Sequence, residues 1–364
     1  MKKCFLCLIP MLILSLLVCS CADNSKLTQN NTVQPTRSAA TTIQPSNPPQ
    51  SIAPVKTQSP VPTQHPVINQ PVLSSINHYV IKADVKAYLS QEEIVLFQKV
   101  MDAIFAQKKE VILSEDYDSN LRILGALSGS PYYFFVKQDR FSKDHTKVLF
   151  TYGYSASEQA EMAEFMDKEY LTLINENITS DMNELEKVLA IYRYFASRIS
   201  YDYEWLYGLD MADDKFLYPD IEIYQALKTD KGVCHTYTYL CEFALQQLGI
   251  ECLRFTGEMT DKKDAGHMWL VVRIDGEYYH CDPTWDSNGA EVGLKYFGMT
   301  DEERTTSGVT FSNLCIDGAY GQIVCNSKRF ADFRDVSNFE INNDHSITLY
   351  KDDGSAPVRW STVK

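Results

Sequence analysis

Sequence signatures of nucleotide and metal chemistry are missing from this chain of 364 residues. It contains no glycine-rich phosphate loop, no nucleotide-binding motif and no internal repeat. Zinc sites usually draw Cys or His ligands in closely spaced pairs such as C-x2-C, and no such pair of cysteines occurs after residue 21. The sequence therefore predicts no metal site and no cofactor.

Positive charge is scarce in most of the chain. Residues 1–75 carry five Lys or Arg and one Asp, a formal charge of +4, so residues 76–364 carry −18 and the whole chain −14. An acidic body is a poor binder of nucleic acid, because the phosphates repel it. The sequence thus predicts no nucleic-acid partner, and the acidity either serves solubility or favours amine-bearing partners.

The first residues resemble a bacterial secretion leader. Lys2 and Lys3 precede an apolar run over residues 4–18, which is shorter than the about 20 residues that a membrane span needs. Small residues then lead to Cys21 in a segment that resembles a lipobox, in which signal peptidase II cuts before a cysteine that carries diacylglycerol. Residues 1–20 are therefore predicted to be a lipoprotein signal peptide, with a plain signal peptide or an uncleaved anchor as alternatives.

If Cys21 is lipidated, the protein is extracytoplasmic and anchored to the cell membrane. Residues 22–75 hold nine of the fourteen prolines, only four charged residues and no apolar periodicity. Such a composition cannot bury a core, so residues 21–75 are predicted to be a disordered linker. As a flexible coil this linker would span roughly 40 Å.

The remaining 289 residues are enough for a substantial core and predict two domains with an extension. Helical patterns over 91–108 and 157–174, with strand candidates at 132–136 and 147–152, predict a small α+β domain over residues 76–180.

A second domain is predicted over residues 181–305. Asp181 followed by Glu184 indicates a helix start, and an apolar stripe continues from Leu185 to Ile199. Short strand candidates at 322–325, 339–341 and 346–350 predict a β-rich C-terminal extension over residues 306–364.

Cys234 opens a predicted helix directly after Lys231-Gly232-Val233. Apolar residues recur from there at three- and four-residue spacing until Gly249 ends the helix. A free thiol has a pKa near 8.5, but the unpaired N–H groups and the dipole at a helix start favour the thiolate. The same N–H groups could bind an oxyanion formed when sulfur attacks a carbonyl, with the Cys234 amide as one donor.

Asp275-Gly276, between two alternating apolar runs, predicts a two-residue β-hairpin turn. Pairing outward from this turn puts His267 and Asp282 diagonally on one face, with Cα atoms roughly 7–8 Å apart. A register slip of one residue would put Cys281 there instead. The opposite face is apolar and is predicted to face the core; it carries Met268, Leu270, Val272, Ile274, Tyr279 and Cys281. Thiol, imidazole and carboxylate together predict acyl transfer through a thioester.

These motifs resemble those of the transglutaminase-like superfamily of papain-type thiol enzymes. The resemblance runs from about Leu185 to Asp301, and its motifs in order are Ile199-Ser200-Tyr201-Asp202, Ala226-Leu227, Lys231-Gly232-Val233-Cys234, Leu248-Gly249-Ile250, Gly257, His267-Met268-Trp269, Ile274-Asp275-Gly276 and Asp282-Pro283-Thr284-Trp285. It implies an α+β fold in which a papain-like or transglutaminase-core domain, with a nucleophile helix packed on an antiparallel sheet, follows the small α+β domain.

The resemblance also implies roles for single residues. Cys234 would be the nucleophile, His267 its base and Asp282 the acid that orients the base. Tyr201 and Trp269 are the candidates for supporting the oxyanion or the site. Where bacterial members more usually have a small or amide-bearing residue after the nucleophile, this chain has His235.

Several residues favour a structural interpretation. We expect His235 to be a surface residue of the first helical turn and His280 a hairpin residue beside the site. Cys315 and Cys325 could form a disulfide, whereas the patterns around the other body cysteines indicate core positions.

Three functions remain open from the sequence. The first is a membrane-anchored cysteine peptidase or amidase acting on peptides, proteins or cell-wall stem peptides. The second is a protein-glutamine transglutaminase, which passes the acyl group to an amine instead of water. The third is a non-catalytic cell-surface binding module, which would have no need of the three reactive side chains in this order. Neither the substrate nor the oligomeric state follows from the sequence.

Overall fold

The computed structural model describes residues 71–208, 219–261, 265–289, 291–311 and 323–362. The predicted signal peptide, Cys21, most of the predicted linker and Cys315 lie outside these ranges. Within them, no helix has both the length and the apolar character needed to cross a membrane.

The first part of the described chain combines helices with an antiparallel sheet of strand order β1-β3-β2. Its elements are α1 (Ala83–Lys86), α2 (Gln91–Phe105), β1 (Glu110–Ile112), α3 (Tyr117–Leu127), β2 (Val136–Phe141), β3 (Lys147–Tyr152) and α4 (Ala156–Asn177). Helices α2 and α4 are preceded by the N-cap residues Ser90 and Ser155, each in a capping box with a Glu three residues later. The helices predicted over 91–108 and 157–174, and the strand over 147–152, are confirmed.

The strand predicted over residues 132–136 is wrong. Residues Tyr133–Phe135 form a single 3-10 turn, and the strand begins only at Val136. Tyr132, Phe134 and Phe135 are all buried, and the Tyr132 hydroxyl donates to Asp167. A strand sends successive side chains to opposite faces, so a turn buries this aromatic run more completely.

The predicted second domain contains the helix that carries Cys234 and the sheet on which it packs. The elements are α5 (Glu184–Arg198), β4 (Ser200–Tyr201), α6 (Tyr203–Gly208), α7 (Pro219–Thr229), β5 (Lys231–Gly232), α8 (Cys234–Gln247), β6 (Cys252–Met259), β7 (Gly266–Ile274) and β8 (Glu277–Cys281). Helix α5 starts two residues later than predicted, because the capping box is formed by Asn183 and Glu186, not by Asp181 and Glu184.

The hairpin register is the predicted one. Asp275 and Gly276 have φ angles of 50° and 89°, the left-handed values that a two-residue turn of this kind requires. Leu270 lies opposite Cys281, and Val271 lies opposite His280. The ladder stops there, because the Asp282 N–H donates to the carbonyl oxygen of Tyr296.

Both faces of this sheet are covered. Its described part has four antiparallel strands, in the order β11 (Val309–Phe311), β6, β7 and β8. The predicted core face, with Leu270, Val272 and Cys281, packs in the main hydrophobic core together with residues of α8. The face that carries His267 and Trp269 is covered by a second apolar cluster, which contains Leu253, Phe255, Trp269, Val271, Val309, Ile323 and Cys325.

The last part of the described chain is rich in short strands. Its elements are β9 (Ser287–Asn288), β10 (Glu291–Val292), α9 (Asp301–Thr306), β11 (Val309–Phe311), β12 (Val336–Ile341), β13 (Ser346–Lys351) and β14 (Val358–Ser361). Of the predicted strands, those at 339–341 and 346–350 are confirmed. Gln322 lies outside the described residues, and 323–325 are irregular, since the Cys325 carbonyl accepts from the Asp301 N–H instead of joining a ladder.

One hydrophobic core contains residues from all three segments predicted for the body, from Ile76 to Leu349. The boundaries at residues 180 and 305 therefore stay predictions. The helices and antiparallel sheets confirm an α+β fold.

Gly257 offers a test of how closely β11 packs on β6. A Cβ at Gly257 would lie 2.5 Å from the Thr310 carbonyl oxygen, whereas one at Gly266 on the neighbouring strand would have no atom nearer than 4.0 Å. We expect Gly257→Ala to lower the free energy of unfolding by about 1–3 kcal/mol, because the strands must move apart. Gly266→Ala is the matched control and should change it by less than about 0.5 kcal/mol. Equal urea midpoints for the two variants would contradict the packing.

Candidate active site

Cys234 is the first residue of α8 and follows a close contact in the chain. A Cβ at Gly232 would lie 2.5 Å from the Thr236 side chain, so only glycine fits there without a shift. Thr236 Oγ1 accepts a hydrogen bond from the Val233 N–H at 3.1 Å, which closes the helix start. The Cys234 N–H thus lies at the first helical position, where a backbone donor has no partner within the helix.

Tyr201 lies beside this segment. Strands β4 and β5 run parallel, and Tyr201 pairs with Gly232, two residues before Cys234. Its ring is 4.8 Å from that of Tyr203. The pairing brings Tyr201 to the nucleophile helix, while its support of an oxyanion stays a prediction.

The structure brings the three candidate catalytic residues together. His267 Nε2 and Asp282 Oδ2 are 2.7 Å apart, and both side chains are buried. Because Nε2 faces the carboxylate, Nδ1 is the ring nitrogen left for the half-buried Cys234 thiol, with which His267 also shares a hydrogen bond. The residues lie in the order thiol, imidazole, carboxylate.

The surroundings of Cys234 and His267 place the shared proton on the imidazole. Burial raises the pKa of the Cys234 thiol, but hydrogen bonds to His235 and His267 outweigh it and lower the pKa to about 6. Burial lowers the pKa of the His267 imidazole, but Asp282 and Cys234 raise it to about 9. Between these two values the favoured pair is a thiolate beside an imidazolium.

Asp282 is completely buried and fully hydrogen-bonded. Its Oδ1 accepts from the N–H groups of Thr284 at 3.1 Å and Trp285 at 3.3 Å. Its Oδ2 accepts from His267 and from Arg304 Nη2, the latter at 3.0 Å. Burial raises the pKa of this carboxyl, but His267 and Arg304 outweigh the burial and hold the pKa below its usual range.

Residues 172–283 match the model of the transglutaminase-like superfamily. This match confirms the resemblance found in the sequence and the predicted fold class. The superfamily consists mostly of Cys-His-Asp enzymes, which at a coarse level supports an enzyme. No curated protein matches the chain.

Three solved structures resemble parts of the chain. A TGase structure shares 17% identity over 38% of this chain and 35% of its own, with a TM-score of 0.29. The structure of a proposed cysteine protease from Cytophaga hutchinsonii shares 13% sequence identity over 41% of this chain and 62% of its own, with a TM-score of 0.25. The structure of a proposed protease from Parabacteroides distasonis shares 16% sequence identity over 40% of this chain and 30% of its own, with a TM-score of 0.24. In each case the match spans less than two thirds of the other chain.

His235 is closer to the site of this transglutaminase-like domain than the sequence indicated. The expected surface residue is half-buried, and its ring lies 5.7 Å from Trp205 and 6.1 Å from Tyr239. It also forms a hydrogen bond with the Cys234 thiol. Its position directly after the nucleophile was the available signal, but helical geometry alone does not say that neighbours in sequence touch.

Trp269 and Trp285 form the walls around His267. The His267 ring stacks on Trp285 with centroids 4.6 Å apart and lies nearly parallel to Trp269 at 5.9 Å. Trp269 Nε1 donates to His280 Nδ1 at 2.9 Å, so this N–H is already engaged and does not serve an oxyanion. Trp269 therefore contacts both histidines, while its support of the site stays a prediction.

Sequence reasoning missed Arg304. It lies on α9 with no exposed surface, 4.2 Å from the Trp269 ring and 4.3 Å from the Trp285 ring, and donates to Asp282. The surrounding residues Asp301 to Glu303 are all acidic and predict an exposed helix. Nothing in this spacing indicates a buried guanidinium.

His280 is the hairpin residue beside the site that the sequence predicts. Together with Asp301 and Cys325 it offers three potential metal-ligand atoms within 4.8 Å of one another, the one such group among the described residues. The Trp269 indole can only donate, so His280 Nδ1 carries no proton and Nε2 must carry one. Nε2 then donates to Asp301 at 2.8 Å and is not a ligand nitrogen. These residues do not fit a metal ion.

In the part of the chain that the structure describes, the cysteines other than Cys234 lie in the core. Cys241, Cys252, Cys281 and Cys325 are buried free thiols, and burial raises the pKa of each. Cys315, for which the sequence left a disulfide with Cys325 open, lies outside the described residues.

The contact between His235 and the thiol can be tested by alkylation. In the wild type, Cys234 should reach half of its maximal rate with iodoacetamide near pH 6. His235→Phe keeps a ring against Trp205 and Tyr239 but removes the hydrogen bond, so the midpoint should rise by about one pH unit. Mass spectrometry assigns the modified site.

His345→Asn is the control for this experiment, because the half-buried His345 has its ring bonded to Glu186 instead of the thiol. Its alkylation profile should match the wild type. An unshifted midpoint in His235→Phe would show that the imidazole does not act on the thiol.

Proposed function

We propose that the protein is a thiol enzyme that attacks amide bonds through a thioester on Cys234. The observation that carries this proposal is the 2.7 Å hydrogen bond between His267 and a buried, ionised Asp282, with the Cys234 thiol on the other side of the ring. Burying a charged carboxylate away from water costs desolvation free energy. A catalytic role explains why the chain keeps such a group, because the carboxylate orients the imidazole toward the thiol.

The reaction follows from the protonation states. The Cys234 thiolate attacks the amide carbonyl carbon, and the negative charge that forms on the carbonyl oxygen is stabilised by N–H groups at the start of α8. The His267 imidazolium gives its proton to the leaving nitrogen, so the C–N bond breaks and an amine departs. Neutral His267 then takes a proton from the incoming water or amine, which releases the acyl group from sulfur and restores the thiolate.

The substrate class that we propose is a peptide, a protein or a cell-wall stem peptide outside the cytoplasm. This rests on the lipobox-like sequence at Cys21 and on the proline-rich linker that follows it. In this proposal the lipid on Cys21 anchors the enzyme to the cell membrane, and the linker gives the domain access to the layer above it.

Hydrolysis is our first candidate and acyl transfer to an amine the second. Trp205 favours the second, since its ring contacts His235 beside the proposed nucleophile, and aromatic rings at that place disfavour water. A non-catalytic binding module is the third alternative. A binding module would not need a thiol with a lowered pKa such as that of Cys234.

Cys234→Ala should abolish the reaction while leaving the free energy of unfolding within about 1.5 kcal/mol of the wild type. The substrates are synthetic peptides with glutamine side chains, peptide bonds and stem-peptide amides, offered with and without a fluorescent primary amine. Mass spectrometry separates hydrolysed from amine-linked products. Activity that persists in Cys234→Ala would exclude the thioester, and wild type without any product would favour the binding module.

Asp282→Asn should slow turnover on the peptide so identified by at least about 10²-fold, because the amide no longer stabilises or orients the imidazolium. The fold keeps an isosteric group, and Cys234 should still be alkylated by iodoacetamide in the native protein. Turnover equal to the wild type would remove Asp282 from the mechanism.

A further inference from the structure

The burial of the Arg304 guanidinium is unfavourable for folding. Its side chain has no exposed surface, and its guanidinium lies between the rings of Trp269 and Trp285. Only Nη2 has a hydrogen bond, to Asp282, whereas Nε and Nη1 have no partner among the described residues. Burying a charge with two unpaired donors is costly even where two indole rings offset part of the cost, and exchanging a buried ion pair for apolar side chains of similar volume is often neutral or stabilising. Stability alone therefore gives no reason for an arginine here.

Asp282 gives the reason. Its Oδ2 accepts from His267 Nε2 and from Arg304 Nη2 at the same time. During turnover His267 gives up its proton, and the buried carboxylate then loses the positive charge beside it. Arg304 cannot be deprotonated at ordinary pH, so its charge remains through the whole cycle.

Arg304 also limits how strongly the carboxylate holds His267. A carboxylate oxygen shared between two cations offers less of its charge to either one. An imidazolium bound by an undivided Asp282 would keep its proton more firmly and give it less readily to a leaving amine.

We propose that Arg304 is a positioning residue of the thiol–imidazole pair: fixed between Trp269 and Trp285, it keeps Asp282 ionised and aimed at His267 while the imidazole loses and regains its proton. This inference rests on the function proposed for Cys234. Arg304 itself acts only through Asp282.

The short helix that presents Arg304 is tied to the same rings. Thr300, which precedes helix α9 as its N-cap, forms a capping box with Glu303. Its first residue, Asp301, accepts from His280 Nε2, and His280 Nδ1 accepts from the Trp269 indole against which Arg304 lies. A shift of α9 would therefore move Arg304, His280 and Trp269 together, so the guanidinium has a fixed place relative to Asp282.

The test measures the protonation of His267 directly. Protein labelled with 15N-histidine is titrated by NMR from pH 6 to 11, and the His267 signals are assigned by their loss in His267→Asn. Arg304→Met should raise the pKa of His267 by about one unit above its wild-type value, because the whole carboxylate charge then acts on the imidazolium. Arg304→Lys keeps the charge and should stay within about 0.3 units of the wild type.

Arg334→Met is the matched control. Arg334 also lies beside α9 and bonds to Glu303 at 3.1 Å and to backbone carbonyls, including that of Phe297 at 2.8 Å, but has no hydrogen bond to Asp282. Its loss should lower stability without moving the His267 titration. An unshifted His267 in Arg304→Met, or an equal shift in Arg304→Lys, would overturn the proposal.

Removal of one partner from a buried ion pair can prevent folding. If Arg304→Met does not fold, Arg304→Gln takes its place, because a glutamine amide can still donate to Asp282 but carries no charge. A His267 pKa raised above that of the wild type supports the proposal, and an unshifted one overturns it. Iodoacetamide labelling of the wild type separates the two proposals. If Cys234 is unreactive at neutral pH, the thiol-enzyme proposal is refuted. If Cys234 is reactive but the pKa of His267 in Arg304→Met equals that of the wild type, only the role of Arg304 is refuted.

Discussion

The candidate site depends on one buried carboxylate. Asp282 is ionised without contact to solvent, and such a group persists only where charges and hydrogen bonds replace the lost water. His267, Arg304 and two backbone N–H groups of the turn after β8 supply them. The contacts that stabilise the carboxylate also fix the imidazole that it orients, so the cost of burial and the geometry of the site have the same origin.

The scaffold brings these groups together through rigid local features. The turn at Asp275-Gly276 sets the register of β7 and β8, and that register decides which face His267 occupies. Helix α8 packs on the opposite face of the same sheet and starts at Cys234, where Gly232 allows the close approach of Thr236. The thiol and the imidazole therefore meet at the end of the sheet where α8 begins.

Sequence patterns predicted what is periodic or local and missed what depends on distant contacts. The hairpin register, the nucleophile helix and the pairing of His267 with Asp282 follow from two-residue alternation, helical spacing and turn chemistry. Arg304 could not be found in this way, because its burial results from two tryptophans on other elements. The turn at Tyr133–Phe135 was missed since a continuous aromatic run fits a buried strand and a buried turn equally well.

The hairpin carries two buried histidines, each hydrogen-bonded to an aspartate. Their environments shift the pKa values of the two imidazoles in opposite directions. Asp282 and the thiolate raise the pKa of His267 to about 9, whereas burial outweighs Asp301 and lowers the pKa of His280. The difference lies in the second ring nitrogen. His280 Nδ1 accepts from the Trp269 indole and would lose that hydrogen bond on protonation, while the second nitrogen of His267 faces a thiol that can give up its proton. His280 is thus kept neutral by its contacts, whereas the contacts of His267 favour the imidazolium, as the proposed function requires.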